Sequence, residues 1–219
     1  MKIPLSSRLL ACCDFVKPGD RVADVGCDHG YLGIYLLRNG IASAVIASDR
    51  GEGPLQSAVR NSEKFGVRDK ISFYLSDGVR NIPREFDTMV CAGMGADTMV
   101  SILSAAPWLQ NRQYRLILQC QSKTPLLRKY LSDNGWHIAQ EKVLKDGKFL
   151  YTIIEVLWQS DAPRLTPAQC YIPPALVDSE EAKAYCKWVV EGLRISAEHS
   201  EDAGKKAILQ ELEIATGLH

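Results

Sequence analysis

Short apolar runs alternate with amphipathic segments along residues 21–158. Five of these runs have the length of buried strands and lie at 22–25, 43–47, 71–75, 88–92 and 115–119. Between them apolar residues recur at helical spacing, as in the segment 55–65, which ends at Gly66. Alternation of this kind predicts a parallel sheet with helices packed on both faces.

The pattern changes after residue 134. Two longer strand-like runs, 135–144 and 149–157, flank a predicted turn of four residues, 145–148, which contains an Asp-Gly pair. Strands joined this closely pair antiparallel. We therefore predict an α/β fold with a Rossmann-like, mostly parallel sheet that ends in a late antiparallel hairpin. This layout resembles that of the class I methyltransferases.

The C-terminal part of the chain differs in character from the rest. The segment 159–166 is polar and contains Pro163, which is typical of a linker. Two later stretches place apolar residues on one helical face, which predicts a small helical hairpin. The first face holds Tyr185, Trp188, Val189, Gly192, Leu193 and Ser196, and the second holds Ala203, Ala207, Ile208, Leu212 and Ala215. The predicted organisation is a catalytic domain, 1–159, followed by a linker and hairpin, 160–219.

Composition restricts the class of protein. Hydrophobic residues make up 46% of the chain and charged residues 24%, which is ordinary for a globular protein. No apolar run approaches the ~20 residues that a membrane span requires, and the N-terminus does not resemble a signal peptide. The seven cysteines are odd in number and form no Cys-x-x-Cys pair. We therefore expect free thiols, no metal and a cytoplasmic location.

The net charge of zero hides an asymmetry along the chain. Residues 1–159 hold 20 Lys and Arg against 16 Asp and Glu, whereas residues 160–219 hold 6 against 10. The larger part therefore carries +4 and the C-terminal part −4. A surplus of this size permits a polyanionic partner for the larger part without requiring one.

Ligands of an open α/β sheet bind beyond the carboxyl ends of its strands, so the residues there are the candidates for chemistry. Gly26 and Gly30 follow the first predicted strand, with a spacing that differs from the Gly-x-Gly-x-x-Gly of dinucleotide binders. The neighbouring Asp24 and Asp28 suit the amino and sulfonium charges of S-adenosylmethionine. The alternative interpretation is an ordinary strand-to-helix turn that contains glycine.

Acidic residues and glycines follow the next three strands as well. Asp49 lies roughly 20 residues beyond the first glycine, where a carboxylate can accept both ribose hydroxyls. Asp77 can accept the adenine amino group, or it simply begins an Asp-Gly turn. The strand ends together predict an S-adenosylmethionine-dependent methyltransferase. The predicted cofactor site comprises Asp24, Gly26, Asp28, His29, Asp49, Arg50, Gly53, Asp77, Gly78, Ala92, Gly93, Met94 and Gly95.

Motifs along most of the chain resemble those of the bacterial TrmK-type tRNA (adenine-22-N1)-methyltransferases. The most distinctive are Asp28-His29 and Ala92-Gly93-Met94-Gly95, and the segments 5–9, 23–32, 53–58, 77–78, 116–119 and 135–136 support them. The resemblance implies methylation of N1 of adenine 22 in tRNA, together with a C-terminal helical hairpin. The chain departs from the usual family pattern at Cys27, Gly30, Gly33, Asp49, Ala96 and Cys120. None of these departures removes a carboxylate or glycine that cofactor binding needs.

Methyl transfer from a sulfonium is an in-line displacement, so alignment supplies most of the acceleration. N1 of adenine has a free lone pair, and the methylated ring is cationic, so a nearby carboxylate stabilises the developing charge. We predict Asp28 as that catalytic carboxylate, while contact with the methionine amino group alone fits its position equally well. His29 is predicted to stack on the base or to position Asp28, and a packed structural histidine is the alternative.

We expect tRNA as the partner and no membrane contact; the sequence does not determine the oligomeric state, although a monomer is favoured. The resemblance brings Arg8 forward as a tRNA contact, with Lys2 and Lys17 in the same basic arm. Tyr31 is the nearest aromatic candidate to stack on the target base, or it belongs to the core. By analogy with the family, the C-terminal hairpin contacts tRNA, and packing alone is the alternative.

Four other functions compete with this interpretation. Two keep the same cofactor, a small-molecule methyltransferase and a methyltransferase of another RNA. A nicotinamide-dependent oxidoreductase is disfavoured by the glycine spacing. An RNA-binding module without catalysis is disfavoured by the acids at 28, 49 and 77.

Overall fold

The computed structural model describes residues 2–218 of the 219-residue chain. Seven strands form one sheet in the order β3-β2-β1-β4-β5-β7-β6. The strands are β1 (Arg21–Val25), β2 (Ala44–Asp49), β3 (Ile71–Leu75), β4 (Thr88–Met94), β5 (Arg115–Cys120), β6 (Trp136–Asp146) and β7 (Phe149–Trp158). The helices are α1 (Ser7–Cys13), α2 (Tyr31–Arg38), α3 (Glu52–Lys64), α4 (Ala96–Ser104), α5 (Thr124–Asp133), α6 (Glu180–Glu198) and α7 (Ala203–Thr216).

The sheet confirms the predicted mixture of strand directions. β1 to β5 run parallel to one another, whereas β7 lies antiparallel to both β5 and β6. The hairpin turn is shorter than predicted, because Asp146 pairs with Phe149 and only Gly147 and Lys148 lie between the strands. Gly147 has a φ of 62°, and this left-handed backbone lets so short a turn close.

Helices cover both faces of the sheet, as predicted, and alternate strand residues enter two apolar layers. Ala23 and Leu116 belong to the layer under α4 and α5, and their neighbours Val22 and Ile117 to the layer under α1, α2 and α3. Because both faces are buried, the parallel strands have continuous apolar runs rather than alternating ones. This double burial is why the runs were visible in the sequence.

The C-terminal part forms two helices joined by the four residues between α6 and α7, which confirms the predicted hairpin. Tyr185, Val189 and Leu193 of α6 are buried against β6 and β7, as their spacing predicted. Trp188 and Gly192, which share the predicted face, are exposed. The sheet edge covers a narrower arc of α6 than the sequence pattern indicated.

A buried ion pair ties this C-terminal part to the sheet. Arg128 of α5 and Glu141 of β6 are both fully buried and form a two-pronged ion pair, with Nε donating to Oε2 at 3.0 Å. The same guanidinium donates to the carbonyl oxygens of Cys170 and Tyr171 at 2.9 and 2.8 Å and to the Tyr185 hydroxyl at 3.1 Å. The boundary at residue 159 stays a prediction, but the two parts share this polar network.

Candidate active site

A cavity of about 600 Å³ opens at the carboxyl ends of the first four strands. It lies where the strand order reverses, between β1 and β4, which is the usual ligand position in an open α/β sheet. Arg8 and Tyr31 line it as well as every predicted cofactor residue except Gly53, namely Asp24, Gly26, Asp28, His29, Asp49, Arg50, Asp77, Gly78, Ala92, Gly93, Met94 and Gly95. Gly53 lies in the first turn of α3 and does not line the cavity.

The loop after β1 turns sharply and is held by the neighbouring strand. The amide groups of Gly26 and Cys27 both donate to the carbonyl oxygen of Ser48, at 2.8 and 2.9 Å. Gly26 has a φ of 75°, and Asp28, although not a glycine, has a φ of 49°. A left-handed conformation is uncommon for residues with a side chain, although aspartate tolerates it better than most. The loop thus presents the Asp28 carboxyl group, whose side chain is 70% exposed, to the open cavity.

Gly26 also lies against the end of β4. A Cβ atom at this position would lie 2.2 Å from the Cε of Met94. The methionine from the end of β4 therefore packs directly against the loop after β1. This contact brings the two predicted motifs, which are far apart in the sequence, to one wall of the cavity.

Asp49 is oriented by backbone amides rather than by a cation. Its Oδ2 accepts from the amide of Asp28 at 3.1 Å, and its Oδ1 accepts from the amide of Gly51 at 2.9 Å. A carboxylate has about four lone-pair sites, so both oxygens can still accept from a ligand hydroxyl. The predicted role in binding a ribose is compatible with this geometry.

Asp24 is a buried acid whose hydrogen bonding is incomplete. It is 5% exposed, lines the cavity, and its Oδ2 has no hydrogen-bond partner. The pKa of Asp24 is raised to about 7: burial is the main cause and the nearby Asp49 charge adds to it, while a hydrogen bond from the backbone amide of Gly33 lowers it. A buried carboxyl oxygen without a partner is costly. A ligand ammonium group is the kind of partner that would satisfy it.

Asp77 follows β3 and is free to receive a ligand amine. Its side chain is 72% exposed, and its nearest cation is the Nε of Arg80 at 3.7 Å. The next residue, Gly78, has a φ of 62°, and a Cβ there would lie 2.9 Å from the Cγ1 of Ile102. The Asp-Gly pair therefore both turns the chain and keeps α4 close to the cavity.

The end of β4 is held by one residue near the end of β5 and one just after it. Gln119 is fully buried, and its Oε1 accepts from the amide of Gly93 at 3.1 Å. The amide of Gln121 donates to the carbonyl oxygen of Met94 at 2.8 Å, and the sheet register shifts between Ala92 and Met94. Sequence reasoning noted Gln119 only as part of a family motif. Its signal is an amide side chain that directly follows the buried apolar run 116–118, a position that normally requires a specific partner.

The predicted catalytic and tRNA-contact residues are divided between two positions. The Nε2 of His29 lies 3.7 Å from Asp28 Oδ1, and its ring centroid lies 5.9 Å from that of Tyr31. Tyr31 also packs edge-on against Phe65, so it belongs to the core and to the cavity wall at once. Arg8 lines the same cavity from a different element, α1. Of the predicted basic arm, Lys2 and Lys17 do not line the cavity.

The charge of the cavity is mainly negative. Four carboxyl groups line it, against the two guanidinium groups of Arg8 and Arg50. Cys27 also lines the cavity, but burial and the nearby charges of Asp24 and Asp49 raise the pKa of its thiol. A protonated thiol is a poor nucleophile, so the site favours a cationic ligand and disfavours covalent cysteine catalysis.

Residues 2–218 contain neither a cluster of metal ligands nor a membrane-spanning helix. No group of three or more His, Cys, Asp or Glu side chains in this range is arranged to hold a metal ion. Over the same range the structure has no helix with the length and apolar character to cross a membrane.

The fold and the cavity define the chain as a methyltransferase-domain protein, and the family profile described as "Methyltransferase domain" matches residues 5–154. A tRNA (adenine(22)-N(1))-methyltransferase from Bacillus subtilis is 31% identical over 195 residues, 87% of this chain and 82% of that protein. The chain belongs to the family of bacterial tRNA (adenine(22)-N(1))-methyltransferases.

Solved structures agree with this assignment. A protein of the Rossmann superfamily from Streptococcus agalactiae has a TM-score of 0.87 and 27% identity, and the match covers 99% of both chains. A Streptococcus pneumoniae protein solved in complex with S-adenosyl-L-methionine has a TM-score of 0.83 and 29% identity, with 95% of this chain and 99% of that one covered. The similarity therefore extends through the C-terminal hairpin.

Proposed function

We propose that this protein transfers a methyl group from S-adenosylmethionine to N1 of an adenine in tRNA, at position 22. The observation that carries the proposal is the convergence of Asp24, Asp49 and Asp77, from the ends of three adjacent strands, on one cavity closed by a glycine-rich segment. Family membership supports the tRNA substrate. The activity would reside in the cytoplasm, where tRNA is processed in bacteria.

The residues present fit the cofactor. When bound, S-adenosylmethionine supplies an electrophilic methyl group on a sulfonium. Asp49, already aligned by two backbone amides, would accept hydrogen bonds from the ribose hydroxyls, and Asp77 would accept one from the adenine amino group. Asp24, whose buried Oδ2 has no partner, would accept a hydrogen bond from the ammonium group of the methionine portion. That contact would return the Asp24 carboxyl to its charged form by lowering its pKa.

Transfer needs no proton removal before attack. The N1 lone pair of the target adenine forms the new nitrogen–carbon bond, and the carbon–sulfur bond breaks with its electron pair moving to sulfur. The adenine ring becomes cationic as the new bond forms. Asp28 would stabilise this charge and orient the exocyclic amine, because its carboxyl group is solvent-exposed at the open side of the cavity.

The other predicted residues would serve the base rather than the cofactor. His29 lies beside Asp28 and Tyr31, so the base would meet two aromatic rings and a carboxylate on one side. The target adenine must leave its stack to enter such a cavity, which costs a few kcal/mol for a paired base. Arg8, at the rim, would approach the RNA backbone. The segment Ala92–Gly95 would close the site near the methyl group.

The direct test is to incubate the protein with methyl-labelled cofactor and unmodified bulk tRNA, then to digest the RNA and identify the labelled nucleoside. We expect label in 1-methyladenosine. Label in another nucleoside, label only in small molecules, or no label would contradict the proposal.

One variant separates the roles of Asp28. Asp28→Ala should abolish turnover while leaving cofactor binding measurable by calorimetry, and Asp69→Asn, an exposed acid outside the cavity, is the matched control. An equal loss of binding and turnover in Asp28→Ala would instead assign this carboxylate to the methionine amino group.

A further inference from the structure

A second cavity, of about 270 Å³, lies between the catalytic sheet and α6. Its walls are the segment 120–125 after β5, residues 150–152 of β7, Tyr171, and one side of α6. Trp188 of α6 lines it and is 63% exposed, although tryptophan is among the largest apolar side chains. An exposed tryptophan beside a cavity is characteristic of a binding surface rather than of a core.

This second cavity adjoins the first. Gln121 lines both, so the end of β5 forms the ridge between them. Arg8 lines the catalytic cavity, and its guanidinium lies 4.9 Å over the ring of Tyr151, which lines the second cavity. A ligand that leaves the catalytic cavity on this side therefore meets the second cavity directly.

Aromatic rings and cations alternate along this surface. Phe149 and Tyr151 have ring centroids 6.2 Å apart, and the Nζ of Lys148 lies 5.4 Å over the Phe149 ring. Two nearby carboxylates are neutralised, since Asp97 pairs with Lys123 at 2.8 Å and Asp146 pairs with Arg8 at 3.3 Å. Rings interleaved with basic side chains are the usual composition of surfaces that bind single-stranded nucleic acid.

The backbone of α6 leaves room for a flat ligand. Gly192 stands one helical turn after Trp188, and a Cβ there would meet no other atom within 4 Å. Tyr185, three residues before Trp188, packs against the indole as a tilted ring pair with centroids 5.9 Å apart. Tyr185 is itself held by the buried guanidinium of Arg128 at 3.1 Å. The indole therefore has a firm support and an open neighbouring space.

We propose that this cavity binds a nucleotide that neighbours the methylated adenine, with its base stacked on Trp188. The proposal rests on the proposed function and deepens it. An adenine drawn into the catalytic cavity leaves its neighbour without a stacking partner. The adjoining aromatic cavity supplies a replacement stacking surface on Trp188. The C-terminal helix thereby takes part in substrate recognition although its part of the chain carries a net negative charge.

The test compares three variants with the wild-type protein. Trp188→Ala removes the stacking surface, Trp188→Phe retains an aromatic face, and Ile195→Ala removes an equally exposed apolar side chain (62%) of the same helix that does not line the cavity. The measurements are tRNA affinity, kcat/KM for unmodified tRNA, and affinity for S-adenosylmethionine. Both residues are exposed, so thermal unfolding should be little changed in all three.

Trp188→Ala should weaken tRNA affinity by about 5- to 100-fold, the range for losing one base–aromatic stack, and lower kcat/KM for tRNA correspondingly. Cofactor affinity should stay unchanged, Trp188→Phe should recover most of the loss, and Ile195→Ala should match the wild type. Unchanged tRNA affinity in Trp188→Ala, an equal loss in Ile195→Ala, or a change of oligomeric state caused by Trp188→Ala would overturn the proposal. These outcomes are distinct from failure of the proposed function, in which the wild-type protein itself would not methylate tRNA.

Discussion

Two buried acids, one beneath the catalytic cavity and one under the C-terminal hairpin, differ in whether a partner compensates their charge. Glu141, under the C-terminal hairpin, is fully enclosed, and the guanidinium of Arg128 meets both of its oxygens. Asp24, beneath the catalytic cavity, is almost as buried, yet one of its oxygens has no partner and its pKa is raised to about 7. The first arrangement is complete without a ligand, whereas the second lacks a cationic partner.

The difference separates stability from function. A buried ion pair whose hydrogen bonds are all made holds the structure together, and loss of either member leaves an uncompensated charge. A buried carboxyl without a partner costs stability in the free protein, and ligand binding can recover that cost. Replacing one member of the ion pair should therefore lower the stability of the free protein, whereas replacing Asp24 should raise it.

The largest effect is expected at the ion pair. Arg128→Met should destabilise the fold by about 3–5 kcal/mol, because Glu141 would remain buried without a counter-charge. Chemical denaturation would measure the loss. The double variant Arg128→Met with Glu141→Met should recover most of the stability, and an unstable double variant would show that packing, not charge, is the main contribution.

At Asp24 we expect the opposite effect, namely a gain in the stability of the cofactor-free protein when the carboxyl group is replaced. In the unfolded chain this carboxyl titrates near its ordinary pKa of 3.8, and in the folded free protein near 7. The folded state therefore binds this proton more tightly, so the contribution of Asp24 to stability is most favourable below about pH 4 and declines as pH rises from about 4 to about 7. Asp24→Asn should remove this decline, and thermal unfolding of the cofactor-free protein across that range would measure it.

Replacing Asp24 should weaken cofactor binding, although it stabilises the cofactor-free protein. Charged Asp24 favours a ligand ammonium, so wild-type affinity should fall as pH drops below about 7, and Asp24→Asn should bind weakly at every pH. Asp87→Asn, an acid outside the cavity, serves as the control for general charge effects. Equal affinity in Asp24→Asn and wild type at pH 8 would remove Asp24 from the cofactor site.

An intermediate effect is expected at Gln119, which positions the glycine-rich end of β4. Gln119→Met keeps the approximate volume but leaves the amide of Gly93 without its acceptor, at a cost of about 1–3 kcal/mol. We expect kcat to fall about 10-fold or more while cofactor affinity changes little. Gln119→Glu, which keeps the acceptor, should retain more activity. Parallel losses of kcat and cofactor affinity in both variants would indicate a general collapse of the strand end.

The smallest effect is expected at Gly53, the predicted cofactor residue that does not line the cavity. A Cβ there would meet nothing within 4 Å, and the residue lies inside α3. Gly53→Ala should raise the free energy of unfolding by about 0.5–1 kcal/mol, as expected for a helical glycine, and leave cofactor affinity unchanged. A measurable loss of affinity would restore Gly53 to the cofactor site.

Much of the sheet around the catalytic cavity was predictable, because the sequence patterns that indicate its strands and strand ends are local. Strands buried on both faces appear as apolar runs, and the residues at their carboxyl ends must meet at one edge of a parallel sheet. Asp24, Asp49 and Asp77 were therefore placed together without coordinates, and the structure brings them to one cavity. The roles assigned to these residues in binding and catalysis stay predictions.

The C-terminal hairpin and the edge of the sheet beneath it were less predictable, because their contacts join segments that are far apart in the sequence. Helical periodicity predicted α6, but it grouped exposed Trp188 with buried Val189, because the pattern does not say how wide an arc the sheet edge will cover. The pairing of Arg128 with Glu141 and the capture of two C-terminal carbonyls by the same guanidinium have no signal in the spacing of those residues.

The sequence by itself determined the order of strands and helices, the late hairpin, and the set of acids and glycines at the strand ends, since each follows from periodicity and from the geometry of parallel sheets. Only the tertiary structure decided which buried charges are satisfied, that Gln119 holds the end of β4, and that an aromatic cavity adjoins the catalytic one. Those properties depend on side chains that approach from separate elements, and their distances are set by packing rather than by position along the chain.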